Sequence, residues 1–194
     1  MPAIDAKRFR ATLTDELRAA WRALRAAHAG ERFYSFGLYT APCAEYLTVT
    51  ASTEEGLARA TAAYVGKRGG DPALRQASLR WSPADSPLHI EGDGLLPKSG
   101  ALRDAGPDPY DDSPAGAAAV KLVFESAVAS LRDLDREGVF GAGAEREALV
   151  LGVWYGDQSD EERVEYARAL NPGPVADRLE RELAQADEAF NALP

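Results

Sequence analysis

The chain is poor in the residues that mark most chemistries. Of its 194 residues one is cysteine and two are histidine. Lone Cys43 excludes an intrachain disulfide and a thiolate metal cluster. A catalytic zinc site commonly draws three protein ligands from His, Cys, Asp and Glu, and His28 and His89 stand in no His-Glu-x-x-His pattern. No metal and no cofactor are therefore expected. Neither Gly66-Lys67 nor Gly69-Gly70 belongs to a phosphate-cradling P-loop. No run approaches the ~20 apolar residues of a membrane span. Lys7, Arg8 and Arg10 near the start lack the apolar stretch of a signal peptide behind them, so a cytoplasmic location is expected.

Positive charge is also scarce: 22 Lys and Arg against 31 Asp and Glu leave a net charge of −9. Nucleic-acid binders gain affinity by releasing counterions through clustered Lys and Arg, so nucleic acid is an unfavoured partner. An acidic surface suits solubility or a basic protein partner. The apolar fraction of 45% is that of a globular chain. The length suits a single domain, 1–194.

Periodicity supplies the elements. Phe9, Leu13, Leu17, Trp21 and Leu24 form one helical stripe, which Gly30 ends. Residues 32–40 alternate as a strand with two apolar faces, Tyr34, Phe36 and Leu38 on one and Phe33, Gly37 and Tyr39 on the other. Such a strand is expected at the centre of its sheet. Glu45 to Thr50 gives a second strand, paired as an antiparallel hairpin. Ser52-Thr53-Glu54-Glu55 has the form of a capping box opening a helix with Leu57, Tyr64 and Val65 inward. Asp71-Pro72 starts a short helix, and Ser78 to Trp81 reads as a third strand.

Residues 91–117 hold five Gly and four Pro, and read as a long loop, functional or mobile. Ser113-Pro114 then caps a helix with the stripe Val120, Phe124, Ala127, Leu131 and Leu134, ended by Gly138. Glu147 to Tyr155 is a fourth strand. Ser159 to Glu162 is a second capping box, and Val175, Leu179, Leu183, Ala186 and Phe190 stripe the last helix. The expected fold is α+β, a mostly antiparallel sheet of about four strands flanked by helices, with Tyr34, Phe36, Phe124, Leu131, Leu151 and Val153 in the core.

The densest cluster of chemical residues is Trp81-Ser82-Pro83-Ala84-Asp85-Ser86-Pro87-Leu88-His89. Ser82, Asp85 and His89 are the candidate catalytic residues of a hydrolase or transferase. A triad is defined by its hydrogen bonds rather than by sequence proximity, and Ser82 lacks a Gly-x-Ser-x-Gly elbow. The competing expectation is a structural corner, with Trp81 as anchor and Ser82 and Asp85 bonding nearby backbone. His28 reads as a helix-terminal cation. Asp108, Asp111 and Asp112 lack the rhythm of a calcium loop, and Glu161 and Glu162 suit a helix N-terminus, with Glu165 beyond.

Five segments share their order and spacing with one family. They are Phe33-Tyr34-Ser35-Phe36-Gly37-Leu38-Tyr39-Thr40, Ser52-Thr53-Glu54-Glu55-Gly56-Leu57 and Trp81-Ser82-Pro83-Ala84-Asp85, then Leu134-Asp135-Arg136-Glu137-Gly138-Val139-Phe140-Gly141 and Leu170-Asn171-Pro172. On these the chain resembles an uncharacterised bacterial family, the domain of unknown function numbered 4303. The resemblance implies no activity and carries over no site residue. The favoured expectation is a non-enzymatic protein-binding domain, of the kind that antitoxins and immunity proteins provide. The alternatives are the enzyme of the Ser82 corner and a small-ligand module.

Overall fold

The computed structural model describes residues 3–111 and 113–192. The first helix, α1 (Ala6–Ala27), is capped by Asp5, whose side chain accepts from the Arg8 N–H. Its stripe of Phe9, Leu13, Leu17, Trp21 and Leu24 is buried as the spacing predicts. Strands β1 (Phe33–Thr40) and β2 (Thr48–Thr53) form the antiparallel hairpin. Helices α2 (Glu54–Arg68), α3 (Pro72–Arg80), α4 (Pro87–Glu91) and α5 (Pro97–Asp104) follow. Next come α6 (Pro114–Arg136), α7 (Ala144–Ala148), strand β3 (Val150–Tyr155), α8 (Asp160–Leu170) and α9 (Gly173–Asn191).

The fold is α+β, but the sheet is smaller and differently wired than expected. Among the described residues it has three strands in the order β2-β1-β3, with β1 at the centre. Strand β3 lies parallel to β1, so the sheet is mixed rather than mostly antiparallel. The missing strand is Ser78–Trp81. Ala, Leu, Arg and Gln fill all of 73–80 but Ser78 and favour helix, and Asp71 caps it through the N–H groups of Ala73 and Leu74 at 2.7 and 3.3 Å. Those residues are the end of α3, with Trp81 as its C-cap.

Two cores lie on the two faces of the sheet. Helices α1 and α6 cover Phe33, Phe36, Leu38, Leu149, Leu151 and Val153 on one. On the other, Leu57, Leu79, Trp81, Leu179 and Leu183 bury Tyr34, Val150 and Trp154. Tyr34 therefore faces opposite to Phe36, against the alternation read from the sequence. A register shift between Phe33 and Ser35 is the cause: an extra residue in β1 breaks the two-residue period.

Other boundaries move for local reasons. The second strand runs from Thr48 to Thr53 instead of Glu45 to Thr50, and β3 starts at Val150 because α7 occupies 144–148. Thr53, not Ser52, caps α2, accepting from the Gly56 N–H at 2.9 Å. The Glu55 carboxylate accepts from the backbone and guanidinium N–H groups of Arg32 instead. Ser113 and the Ser159–Glu162 box cap α6 and α8 as predicted.

Helix α6 has the length of a membrane span and a window of mean hydropathy 1.3. Its buried face is Gly116, Ala119, Val123, Ser126, Ala127, Ser130, Leu131 and Leu134. Small residues let α1 approach closely, with Thr14 donating to Ser130 across the contact at 2.8 Å. Val120 and Phe124 are consequently displaced to the flank. Phe124 is half-buried rather than core, against the rings of Tyr155 and Tyr166. In α9, Ala189 is buried and Phe190, expected inside, is 66% exposed.

Two side chains order much of the 91–117 segment. Glu16 reaches from α1 to the start of α5, accepting from the N–H groups of Lys98 and Ser99 at 2.8 and 2.9 Å and from the Ser99 hydroxyl at 2.6 Å. At the other end of α5, buried Arg103 donates to the carbonyls of Ala44 and Pro107. The Gly/Pro composition hid an eight-residue helix docked by contacts from elsewhere.

Candidate functional site

The Ser82 corner is built where α3 ends. Trp81 is 4% exposed, lies edge-on to Tyr34 at 5.4 Å and donates from Nε1 to Glu182 of α9 at 3.0 Å. Beside it Arg80 forks onto Glu54 at 2.8 and 2.9 Å and donates to Glu182 at 2.8 Å. Burial alone would lower the Arg80 pKa, but the bonds to Glu54 and Glu182 outweigh it and hold the guanidinium above its ordinary value. Burial raises Tyr34 to about 12, and its hydroxyl donates to the Arg80 carbonyl. These contacts tie α2, α3 and α9 together.

Pro83 to Asp85 form one 3-10 turn. Ser82 donates to the Asp85 carboxylate at 2.6 Å, and Asp85 is exposed. Ser86 donates to the Ala51 carbonyl of β2 at 2.7 Å. His89, on α4, stands edge-on to the Tyr39 ring at 4.7 Å. Among the described residues its Nδ1 is buried without a partner. Burial lowers its pKa, with the Asp93 charge acting the other way. The structure thus brings Ser82 and Asp85 together, and no described hydrogen bond joins His89 to either. The Ser82 hydroxyl is directed to a carboxylate, not to an imidazole that could take its proton.

His28 sits just past α1, its Nε2 2.7 Å from Glu91 and its Nδ1 3.5 Å from Glu31. The hydrogen bond to Glu91 raises its pKa, against the effect of burial. Arg59 and Thr53 also bond Glu31, whose pKa falls to about 2, chiefly through Arg59. Asp108 and Asp111 bond the backbone N–H groups of Tyr110 and Ser113, as turn formers do. Asp112 lies outside the described residues.

Sequence reasoning missed the arrangement between α8 and α9. An open groove of about 530 Å³ separates these helices, floored by Val164, Leu183 and Ala184. Asp160, Glu161, Glu165, Glu180 and Asp187 line it, against Arg168 alone among cations. Arg163 pairs with Asp160 at 3.4 Å and Arg168 with Glu180 at 2.8 Å. Among the described residues Glu161, Glu165 and Asp187 have no ion pair. Burial raises the Asp160 pKa, Arg163 opposes the rise, and the charges of Asp187 and Glu161 add to it. The groove continues into a hollow lined by Trp81, Ser82, Arg163 and Phe190. One signal for it was available in the sequence: residues 157–190 hold ten acidic side chains and four basic, a balance of −6 out of −9.

A family model described as a domain of unknown function, DUF4303, matches residues 13–172. The chain belongs to that family. No curated protein and no solved structure matches it significantly. Several residues of the segments that carried the resemblance have structural duties here. Glu54 and Trp81 belong to the Arg80 cluster. Asp135 holds Arg146, which also donates to the Leu149 and Leu170 carbonyls and to the Asn171 side chain. Asn171 in turn accepts from the Leu151 N–H at 2.9 Å and donates to the Leu151 carbonyl at 2.8 Å, as a neighbouring strand would. Gly138 takes φ +74 at the end of α6, where the Val139 N–H bonds the Leu134 carbonyl.

Proposed function

We propose that this domain is a non-enzymatic binding protein whose α8–α9 groove takes a basic segment of a partner protein. The observation that carries the reading is the groove itself, where Glu161, Glu165 and Asp187 leave negative charge unpaired above an apolar floor. A lysine- or arginine-bearing helix would place its cations on these carboxylates and its apolar side chains on Val164 and Leu183. Phe190, exposed in the adjoining hollow, offers an aromatic anchor of the kind that concentrates binding energy. Antitoxins and immunity proteins act by this kind of occupancy, and that class of role is part of the proposal.

The test uses a fluorescent amphipathic helix of lysine and leucine as probe. Saturable binding that weakens with salt is expected, and the triple variant Glu161→Gln, Glu165→Gln, Asp187→Gln should weaken it at least about tenfold, ~1.4 kcal/mol. Phe190→Ala should weaken it further. Equal binding by the triple variant, or no saturation by the native chain, would sink the reading.

A further inference from the structure

A second groove has the opposite charge. It lies between α2 and the Pro83–Asp85 turn, encloses about 400 Å³ and is lined by Ala60, Ala63, Tyr64, Lys67, Arg68, Asp85 and Pro87. The Tyr64 ring carries two guanidinium groups, those of Arg68 and Arg75, with Cζ 5.4 and 5.0 Å from its centroid. Among the described residues neither arginine, nor Lys67, has a carboxylate within an ion pair. Most other arginines of this acidic chain are held by carboxylates or carbonyls, as Arg18, Arg80, Arg132 and Arg146 show.

Two like charges brought to one ring repel each other, and a helix terminus explains only part of the cluster. Lys67 and Arg68 occupy the last turn of α2, where cations complement the helix dipole. Arg75 is the fourth residue of α3, toward the end where that dipole disfavours a cation. Two cations in the lining, Lys67 and Arg68, with a third, Arg75, on the Tyr64 ring, beside an apolar wall have the composition of a pocket for a small organic anion.

We propose that this groove binds a small organic anion, a phosphate monoester or carboxylate with a flat apolar body. The anionic head lies at Lys67 and Arg68, the body rests on Tyr64, Ala60 and Pro87, and Arg75 on the Tyr64 ring adds to the positive field. Asp85 at the rim opposes the anion and limits its affinity, and its bond from Ser82 holds that carboxylate in place. The site is separate from the acidic groove, so either proposal can fail alone.

The experiment is a titration of the ¹⁵N-labelled chain with phenyl phosphate, benzoate and inorganic phosphate, read by two-dimensional NMR. Phenyl phosphate or benzoate should cause saturable shifts at the amides of Tyr64, Arg68 and Asp85, with inorganic phosphate weaker for lack of the body. Whichever of the first two binds tighter names the head group. Arg68→Gln with Arg75→Gln should weaken binding at least about tenfold, since charge-assisted bonds are lost. Lys67→Gln, a surface change, should weaken it less, and Asp85→Asn should strengthen it. Glu161→Gln with Glu165→Gln should leave it unchanged. No saturable shift with any of the three probes overturns the proposal. Binding that survives both the arginine and the lysine substitutions overturns it too.

Discussion

Glu16→Ala tests how the segment between α4 and α6 is ordered. Glu16 is 9% exposed, and its carboxylate is the acceptor for two backbone N–H groups and one hydroxyl at the start of α5. Losing a helix cap costs about 1 kcal/mol. Leaving the buried N–H and hydroxyl of Ser99 without an acceptor adds about 2 kcal/mol. The expected loss is therefore about 3 kcal/mol, or a melting temperature lower by about 6–12 °C for a domain of this size. Glu16→Gln retains one acceptor oxygen and should lose about half as much. Urea denaturation measures the total, and hydrogen exchange locates it: Lys98, Ser99 and their neighbours in α5 should lose protection ahead of β1. A stability within about 0.5 kcal/mol of native, with unchanged exchange at Ser99, would refute the assignment of Glu16 as the cap of α5.

The remaining predictions concern protonation and the Ser82 corner. His28, raised above its ordinary 6.5 by Glu91 and Glu31, contributes stability that is complete below 6.5 and lost as pH rises through the raised value; His28→Gln should flatten that loss in melts taken across pH 6 to 9. Glu31 acts at the other end, its contribution complete above 4.5 and lost as pH falls toward about 2, so acid melts of Glu31→Gln should show a shallower decline. At the corner, Trp81→Ala should cost about 3–5 kcal/mol because it empties part of the second core. Asp85→Asn, a surface change, should stay within about 0.5 kcal/mol in the same urea titration; a large destabilisation would show that the Ser82–Asp85 bond supports the turn.

Elements whose partners lie close in sequence were legible before the structure. The stripe of α1, the hairpin, the box of α8 and the Ser113 cap all follow from spacing and local chemistry. The strand expected at Ser78–Trp81 failed on local helix chemistry, and other failures depended on distant contacts. Tyr34 changes face because of a register shift in β1, which alternation cannot reveal. The inward face of α6 follows from how closely α1 approaches, so small Ala119 and Ser130 displace bulkier Val120 and Phe124. Helix α5 is capped from a residue 82 positions earlier, and composition alone reads that stretch as a loop. For the candidate sites, Ser82 and Asp85 were visible as a pair. The acidic groove needed α8 and α9 laid side by side, and the cationic one needed α2 laid beside the Pro83–Asp85 turn.

The short sheet also restricts how another chain could attach. A three-stranded sheet has two outer strands whose free amides and carbonyls could recruit a strand from elsewhere. In β3 this rim is occupied: Asn171 takes both polar groups of Leu151, and Gln158 donates to the Val153 carbonyl at 3.1 Å. In β2 the Ser86 hydroxyl holds the Ala51 carbonyl. A Cβ at Gly92 would lie 1.7 Å from the Val49 carbonyl oxygen, so the α4 turn presses on that strand with its bare backbone. Growth of the sheet by strand addition, in fibrils or by a docking peptide, would first require these plugs to be pulled away. A protein docking on this fold would meet helices and side chains instead, so that charge and shape rather than backbone pairing would carry its specificity.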